Sequence, residues 1–213
     1  MALKIITTWD DGSNHDLRLA DLLIEYNLPA VFLIPTLCEL RDYQIQALAK
    51  YFEIGGHTTT HPSDMKLLTY RQQLDEIAQN KEWLENWTDY GLRWFAYPKG
   101  KYNGDTIKAV DKAGFLYART VDIGKAPKIL PFSFRLYTTA HCHNRREYGT
   151  VNWVDYIKRR AEIYNNTDRY LHIWGHSQEI ENNNDWLALE GLFRYLKYNY
   201  KIEKYETLHN AVQ

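Results

Sequence analysis

Apolar and polar positions alternate along the chain on two periods. Residues 3–9 form an apolar run of the length of a strand buried on both faces. Ser13 and Asp16 then make a capping-box-like start, with Asp in place of Glu, for a helix that carries Leu19, Leu22, Leu23 and Tyr26. Residues 30–34 predict a second strand. A short helix over 45–51 leads to a third at 52–55, which runs into a glycine pair and His57. The helical period returns over 69–87, with Leu74, Ile77, Leu84 and Trp87 on one side.

Further strands are predicted at 94–97 and 115–121, separated by a helix that Gly114 closes. Two more lie at 135–140 and 170–174 around a helix over 153–164, and 202–205 follows a helix over 185–198. Strand and helix thus alternate at spacings of roughly 20 to 35 residues, the pattern of parallel strands joined by crossover helices. Seven or eight β/α units with no Gly-rich phosphate fingerprint after the first strand favour an α/β, TIM-barrel-like fold over a dinucleotide-binding sheet. No linker or low-complexity tract divides the 213 residues, so one domain spanning 1–213 is expected.

Composition narrows the partners. Acidic and basic residues nearly cancel, 27 against 26, which leaves no large field to recruit nucleic acid or an anionic membrane. No apolar run approaches the roughly 20 residues that span a bilayer. Residues 1–9 are too short for a signal peptide before the chemistry-bearing residues begin, so the reading is cytoplasmic. Cys38 and Cys142 stand in no metal or redox spacing, as suits a reducing compartment. Aromatic residues make up 15%, with seven Trp and 17 Tyr; they serve a ring-rich core first and sugar stacking second. Oligomeric state leaves no trace in the sequence.

Three unusual clusters fall where strands end: Thr8-Trp9-Asp10-Asp11-Gly12, His57-Thr58-Thr59-Thr60-His61 and Ile173-Trp174-Gly175-His176. In a barrel of parallel strands these ends share one rim, where reactive side chains gather. His57 and His61 are four apart, so on a helical turn both rings reach one ion. With a carboxylate from another strand they form a two-His, one-carboxylate site with open positions. Zinc accepts such a set, as do iron, cobalt and nickel. Adjacent carboxylates repel unless their duties differ: one Asp can ligate while its ionised neighbour accepts a proton from water. His176 can supply a proton to a leaving amine.

These segments resemble the motifs of the polysaccharide deacetylases, the NodB-homology or carbohydrate esterase family four proteins. Thr8-Trp9-Asp10-Asp11-Gly12 is similar to their first motif, His57-Thr-Thr-Thr-His61 to the second, Phe95-Ala-Tyr-Pro98-Lys-Gly100 to the third, and Ile173-Trp-Gly-His176 to the last. The resemblance implies a distorted (β/α) barrel of about seven strands and hydrolysis of N-acetyl groups on a sugar or polysaccharide, with release of acetate. It makes Asp10 the general base, His176 the general acid, and Asp11, His57 and His61 the ligands of a divalent metal, zinc first. Thr58 takes the place of the hydroxyl residue that steadies the histidine loop. Main-chain N–H groups near Pro98 and Lys99 would hold the oxyanion, with Tyr97 and Trp174 beside the substrate.

The chain departs from the family at three points. Ala96 stands where an Arg two residues before the motif-three proline orients the base, with Arg93 as the substitute at hand. Trp174 replaces a Leu that lines the acetyl pocket, and Asp122 is the candidate for the Asp that tunes the acid histidine. His141-Cys142-His143 follows another strand; its H-x-H spacing can bind a metal, although substrate lining or a structural role is the expectation. The competing readings are an allantoinase-like hydrolase of a small cyclic amide and a carbohydrate-binding pseudoenzyme on the same fold.

Overall fold

Parallel pairing throughout one curled sheet organises the chain, which the computed structural model describes over residues 2–124 and 133–204. The strands are β1 (Leu3–Asp10), β2 (Ala30–Ile34), β3 (Glu53–Gly56), β4 (Trp94–Ala96), β5 (Tyr117–Arg119), β6 (Ser133–Leu136), β7 (Ala140–His141), β8 (Tyr170–Gly175) and β9 (Ile202–Lys204). Their order is β6-β5-β4-β3-β2-β1-β8-β7, with β9 paired to the start of β1. Helices α1 (Asp16–Glu25), α2 (Asp42–Ala49), α3 (Tyr70–Glu85), α4 (Gly104–Lys112), α5 (Trp153–Tyr164), α6 (Ser177–Asn182) and α7 (Trp186–Asn199) make the connections. This is the distorted (β/α) barrel expected, with nine strands among the described residues in place of about seven.

One of the two extra strands has a local cause. The single strand predicted at 135–140 divides into β6 and β7, because the segment changes partners along its length. Thr120 N–H bonds to the Leu136 carbonyl and Thr138 N–H to that of Asp122, whereas Thr139 and Cys142 N–H turn to His172 and Trp174 on β8. One segment therefore leaves one edge of the sheet for the other. The strand predicted at 115–121 is narrower, and that predicted at 202–205 is β9, with Tyr205 outside the described residues.

Alternation along the strands sorts side chains into two layers. Ile5, Trp9, Phe32, Ile34, Ile54 and Phe95 point outward and are sealed by the helices in the main core. Ile6, Val31, Leu33, Trp94, Ala96, Tyr117 and Leu136 point inward and fill the barrel. Complete burial of such side chains contributes about 1.5–3 kcal/mol each. The same parity puts Asp10, Arg119 and Trp174 on the inner face, and register makes Ala96 the neighbour of Arg119 and Thr8 that of Trp174.

Helix α1 does not start with the capping box read from Ser13 and Asp16. His15 is its N-cap residue and makes no side-chain cap, since Ser13 Oγ is within hydrogen-bond reach of Glu39 and Gln178 and the Asp16 carboxylate turns inward to accept from Ser177 Oγ. Reciprocal capping occurs instead at α3, between Thr69 and Gln72. Among the described residues no helix is long and apolar enough to cross a membrane.

Candidate metal centre and active site

The ends of β1, β3 and β8 meet on one rim of the barrel. Asp11 leaves β1 with φ 80°, a left-handed conformation that Asp tolerates better than most residues. Its carboxylate thereby stays on the rim, where strand alternation would have sent it outward. Gly12 follows at φ 63°, and a Cβ there would lie 2.9 Å from Cys38 Cβ, so the turn requires glycine.

His57 and His61 do not lie on a helical turn. The loop that joins them places Thr58 at φ 69° and His61 at φ 51°, and Thr58 Oγ1 accepts from His61 N–H at 3.1 Å. Helix α3 holds the loop from outside: Glu76 accepts from the N–H groups of Thr59 and Thr60 at 3.0 and 2.8 Å, and Asn80 Oδ1 accepts from His57 N–H at 2.9 Å. Nothing in the sequence reading singled out Glu76 or Asn80, yet their spacing of four on one helix was the available signal.

Asp11 Oδ1 lies 3.4 Å from His57 Nε2 and 3.5 Å from His61 Nε2. Ligands about 2.1 Å from a tetrahedral ion are separated by about 3.4 Å, so both distances from Asp11 suit a zinc-sized ion, and all three donors lie within 4.8 Å of one another. His57 Nδ1 donates to the Ala96 carbonyl at 2.8 Å, which turns Nε2 toward Asp11. Burial opposes ionisation of Asp11, but the hydrogen bond to His57 and the nearby imidazoles hold its carboxyl well below the usual range. Burial, reinforced by His57, lowers the pKa of His61, as suits a neutral nitrogen ligand.

Asp10 sits beside this trio, almost fully buried, and its Oδ2 pairs with the guanidinium of Arg119. Arg93 is thus not the substitute for the missing motif-three arginine: it forms a two-pronged pair with buried Glu53, at 2.9 and 3.0 Å. Arg119 comes from β5 at the register position next to Ala96, so the cation is supplied one strand over. Its signal in the sequence was inward parity with Tyr117. Arg119 also lies over the Trp174 ring, 4.6 Å from its centroid.

His176 Nε2 is 4.0 Å from Asp10 Oδ2 and 3.6 Å from Asp11 Oδ2. Its Nδ1 meets Glu179 Oε2 at 2.9 Å, so the carboxylate on this histidine comes from α6 and not from Asp122. Asp122 lines the same cavity. Burial disfavours the imidazolium, but Glu179, Asp10 and Asp11 outweigh it and raise the pKa of His176.

The cavity over these groups measures about 690 Å³ and is lined also by Lys99, Arg145 and Trp174. Tyr97 does not reach it: its ring stacks on Tyr102 in the outer core and its hydroxyl donates to the Phe134 carbonyl at 2.9 Å. Pro98 is buried and has no N–H to offer, so of the positions expected to hold an oxyanion only the main chain of Lys99 is left as a donor. His141 lies beside His176 and Glu179, whereas His143 is only an edge-on neighbour of His141.

The polysaccharide deacetylase family model matches residues 3–118, more than half of the chain. YxkH of Bacillus subtilis (strain 168) is 29% identical over 131 residues, which cover 58% of this chain and 47% of that protein. The chain therefore spans about half the length of this curated relative. The catalytic domain of a peptidoglycan N-acetylglucosamine deacetylase from Eubacterium rectale shares the fold, with a TM-score of 0.66, 16% identity and coverage of 97% of this chain and 90% of that one. A carbohydrate esterase family four pseudoenzyme from Bacillus anthracis does so with a TM-score of 0.63, 17% identity and coverage of 95% and 64%. With its ordered motifs, its curled parallel sheet and a family match over half its length, the chain belongs to the polysaccharide deacetylase family.

Proposed function

We propose that the chain, taken as one catalytic domain over 1–213, is a metal-dependent N-deacetylase of an acetylated sugar or polysaccharide. The observation that carries the reading is the spacing of Asp11 Oδ1, His57 Nε2 and His61 Nε2, which suits one ion, with Asp10 and His176 flanking them. A divalent ion held there, zinc first and cobalt, nickel or iron as substitutes, supplies a Lewis acid for the acetamide carbonyl and acidifies the attacking water.

Asp10, held in place by Arg119, accepts the proton from that water as its oxygen adds to the carbonyl carbon. Lys99 lines the cavity, and we assign its main-chain N–H as the donor to the oxygen that gains charge. His176, protonated because Glu179 and the two aspartates favour its charged form, then gives a proton to the departing nitrogen. The C–N bond breaks, leaving acetate and a free amino sugar.

The E. rectale relative makes peptidoglycan the first polymer to test, alongside chitin-type oligomers of N-acetylglucosamine. The experiment loads purified protein with zinc and measures acetate release from both substrates for wild type and Asp10→Asn. Turnover by wild type with at least a hundredfold loss in Asp10→Asn supports the reading. Stoichiometric metal with no acetate from any acetylated glycan would make the chain a carbohydrate binder.

A further inference from the structure

His141 is a buried rim histidine with no part in the reaction as proposed, and its surroundings are specific. It is completely buried at the end of β7, with its ring 4.1 Å from that of Trp174. The Tyr148 hydroxyl pins its main chain, accepting from its N–H at 2.6 Å and donating to its carbonyl at 3.0 Å. Arg145 Nε donates to His141 Nδ1 at 3.3 Å, which puts the ring proton on Nε2. That Nε2 lies 3.0 Å from Glu179 Oε2, close enough for its proton to attract the carboxylate although the angle falls short of a hydrogen bond. The same oxygen meets His176 Nδ1 at 2.9 Å. The Glu179 side chain is otherwise 38% exposed, and its carboxylate has no other hydrogen-bond partner among the described residues. A glutamate so exposed samples several rotamers unless something anchors it.

We propose that His141 is a positioning residue: its Nε2–H anchors Glu179 in the rotamer in which that carboxylate orients the imidazole of His176. The inference rests on the reading of His176 as the proton donor. Burial holds the pKa of His141 down at about 4, so it serves as a neutral donor and adds no charge. His141, His176 and Glu179 also present two nitrogens and an oxygen that could surround a second cation. Arg145 argues against that use, because its donation to Nδ1 leaves no lone pair on Nε2 and its guanidinium would repel the ion.

The test uses zinc-loaded protein and two substrates, an N-acetylated amino sugar and p-nitrophenyl acetate, whose phenolate departs without a proton donor. His141→Phe keeps a ring against Trp174 and removes the donor; His141→Gln retains an N–H near the Nε2 position. Loss of an outer partner of this kind is worth about tenfold to a hundredfold. The expected result is a tenfold fall in kcat on the amide for His141→Phe, with KM and the ester rate within twofold of wild type and substantial recovery in His141→Gln. In a Glu179→Ala background His141→Phe should add less than a twofold loss, because it acts only through Glu179. If His141→Phe is too bulky to fold, His141→Ala is read by the same amide-to-ester ratio and the same cycle.

Equal losses on both substrates, independent losses in the double variant, or a second zinc equivalent that disappears with His141 would overturn the inference. His176→Ala run alongside separates the two levels. If it is selective for the amide while His141→Phe is not, the positioning inference alone falls; if it loses both substrates equally, the assignment of His176 as proton donor falls with it.

Discussion

Arg119→Met is the most informative single change, because it removes the buried cation while leaving a side chain of similar length against Trp174. Arg119 is fully buried and Asp10 nearly so, and Asp10 Oδ1 has no hydrogen-bond partner among the described residues. Breaking a buried pair by removing one member costs about 3–5 kcal/mol, because the remaining charge is uncompensated. Without the guanidinium, Asp10 also loses the partner that holds it toward the water it must deprotonate, and turnover should fall by about 10²–10⁴-fold. Acetate release by zinc-loaded protein measures the rate, and urea unfolding of metal-free protein measures stability. Ala96→Arg should restore at least tenfold of the loss. Residues 96 and 119 are register neighbours whose side chains leave the same face, with strands about 4.8 Å apart. Turnover within twofold of wild type in Arg119→Met, or a stability change under about 0.5 kcal/mol, would refute the reasoning.

Three further outcomes are expected. His61→Ala and Asp11→Asn should each lower zinc affinity by orders of magnitude, while Asp10→Asn retains the metal; equal zinc content in the two asparagine variants after dialysis would contradict the division of roles. Glu76→Ala removes the carboxylate that receives the Thr59 and Thr60 N–H groups, so zinc should bind about 10–100-fold more weakly with the helical circular dichroism unchanged. Asp16→Asn concerns pH: burial raises the Asp16 carboxyl to about 8, so the folded protein keeps it neutral where the unfolded chain has ionised it. Wild-type stability should therefore decline as pH rises from about 4 toward about 8. The metal-free variant should lack that part of the slope, and identical urea midpoints for both proteins across this window would count against it.

The strand ends were legible in the sequence because a parallel barrel places its chemistry there. Asp10, Asp11, His57, His61 and His176 accordingly share one cavity. Local conformation was less legible. The spacing of His57 and His61 reads as a helical turn, but left-handed residues at 58 and 61 produce the convergence, and neither Thr nor His announces that conformation. The segment 135–140 reads as one strand because its residues suit a strand throughout; its change of partner depends on the facing edges. Partners across strands were the hardest to assign. Arg93 was the nearer arginine in sequence to motif three, and only the register of β4 with β5 brings Arg119 to Asp10. Glu179 lies three residues beyond His176 on the first turn of α6, a spacing that local reading could have used in preference to Asp122.

The displaced arginine also bears on the choice between an enzyme and a binding protein. Arg119 and Asp10 adjoin the inward layer of Ile6, Leu33, Trp94 and Ala96, where apolar side chains of the same volume would serve stability as well or better. Desolvating both charges is costly, and Asp10 Oδ1 has no partner among the described residues as well. Stability alone therefore gives no reason for the pair to exist. A lectin-like groove would gain nothing from it either, since the guanidinium is fully buried and out of a ligand's reach. What the pair does accomplish is to fix a carboxylate beside the three candidate metal donors and 4.0 Å from a histidine whose own pKa is raised. Separating a base from an acid in this way is a requirement of proton transfer during bond cleavage. When Ala occupies the family's arginine position, a cation arriving from the next strand meets the same requirement, and the geometry argues for catalysis even though the motif is incomplete.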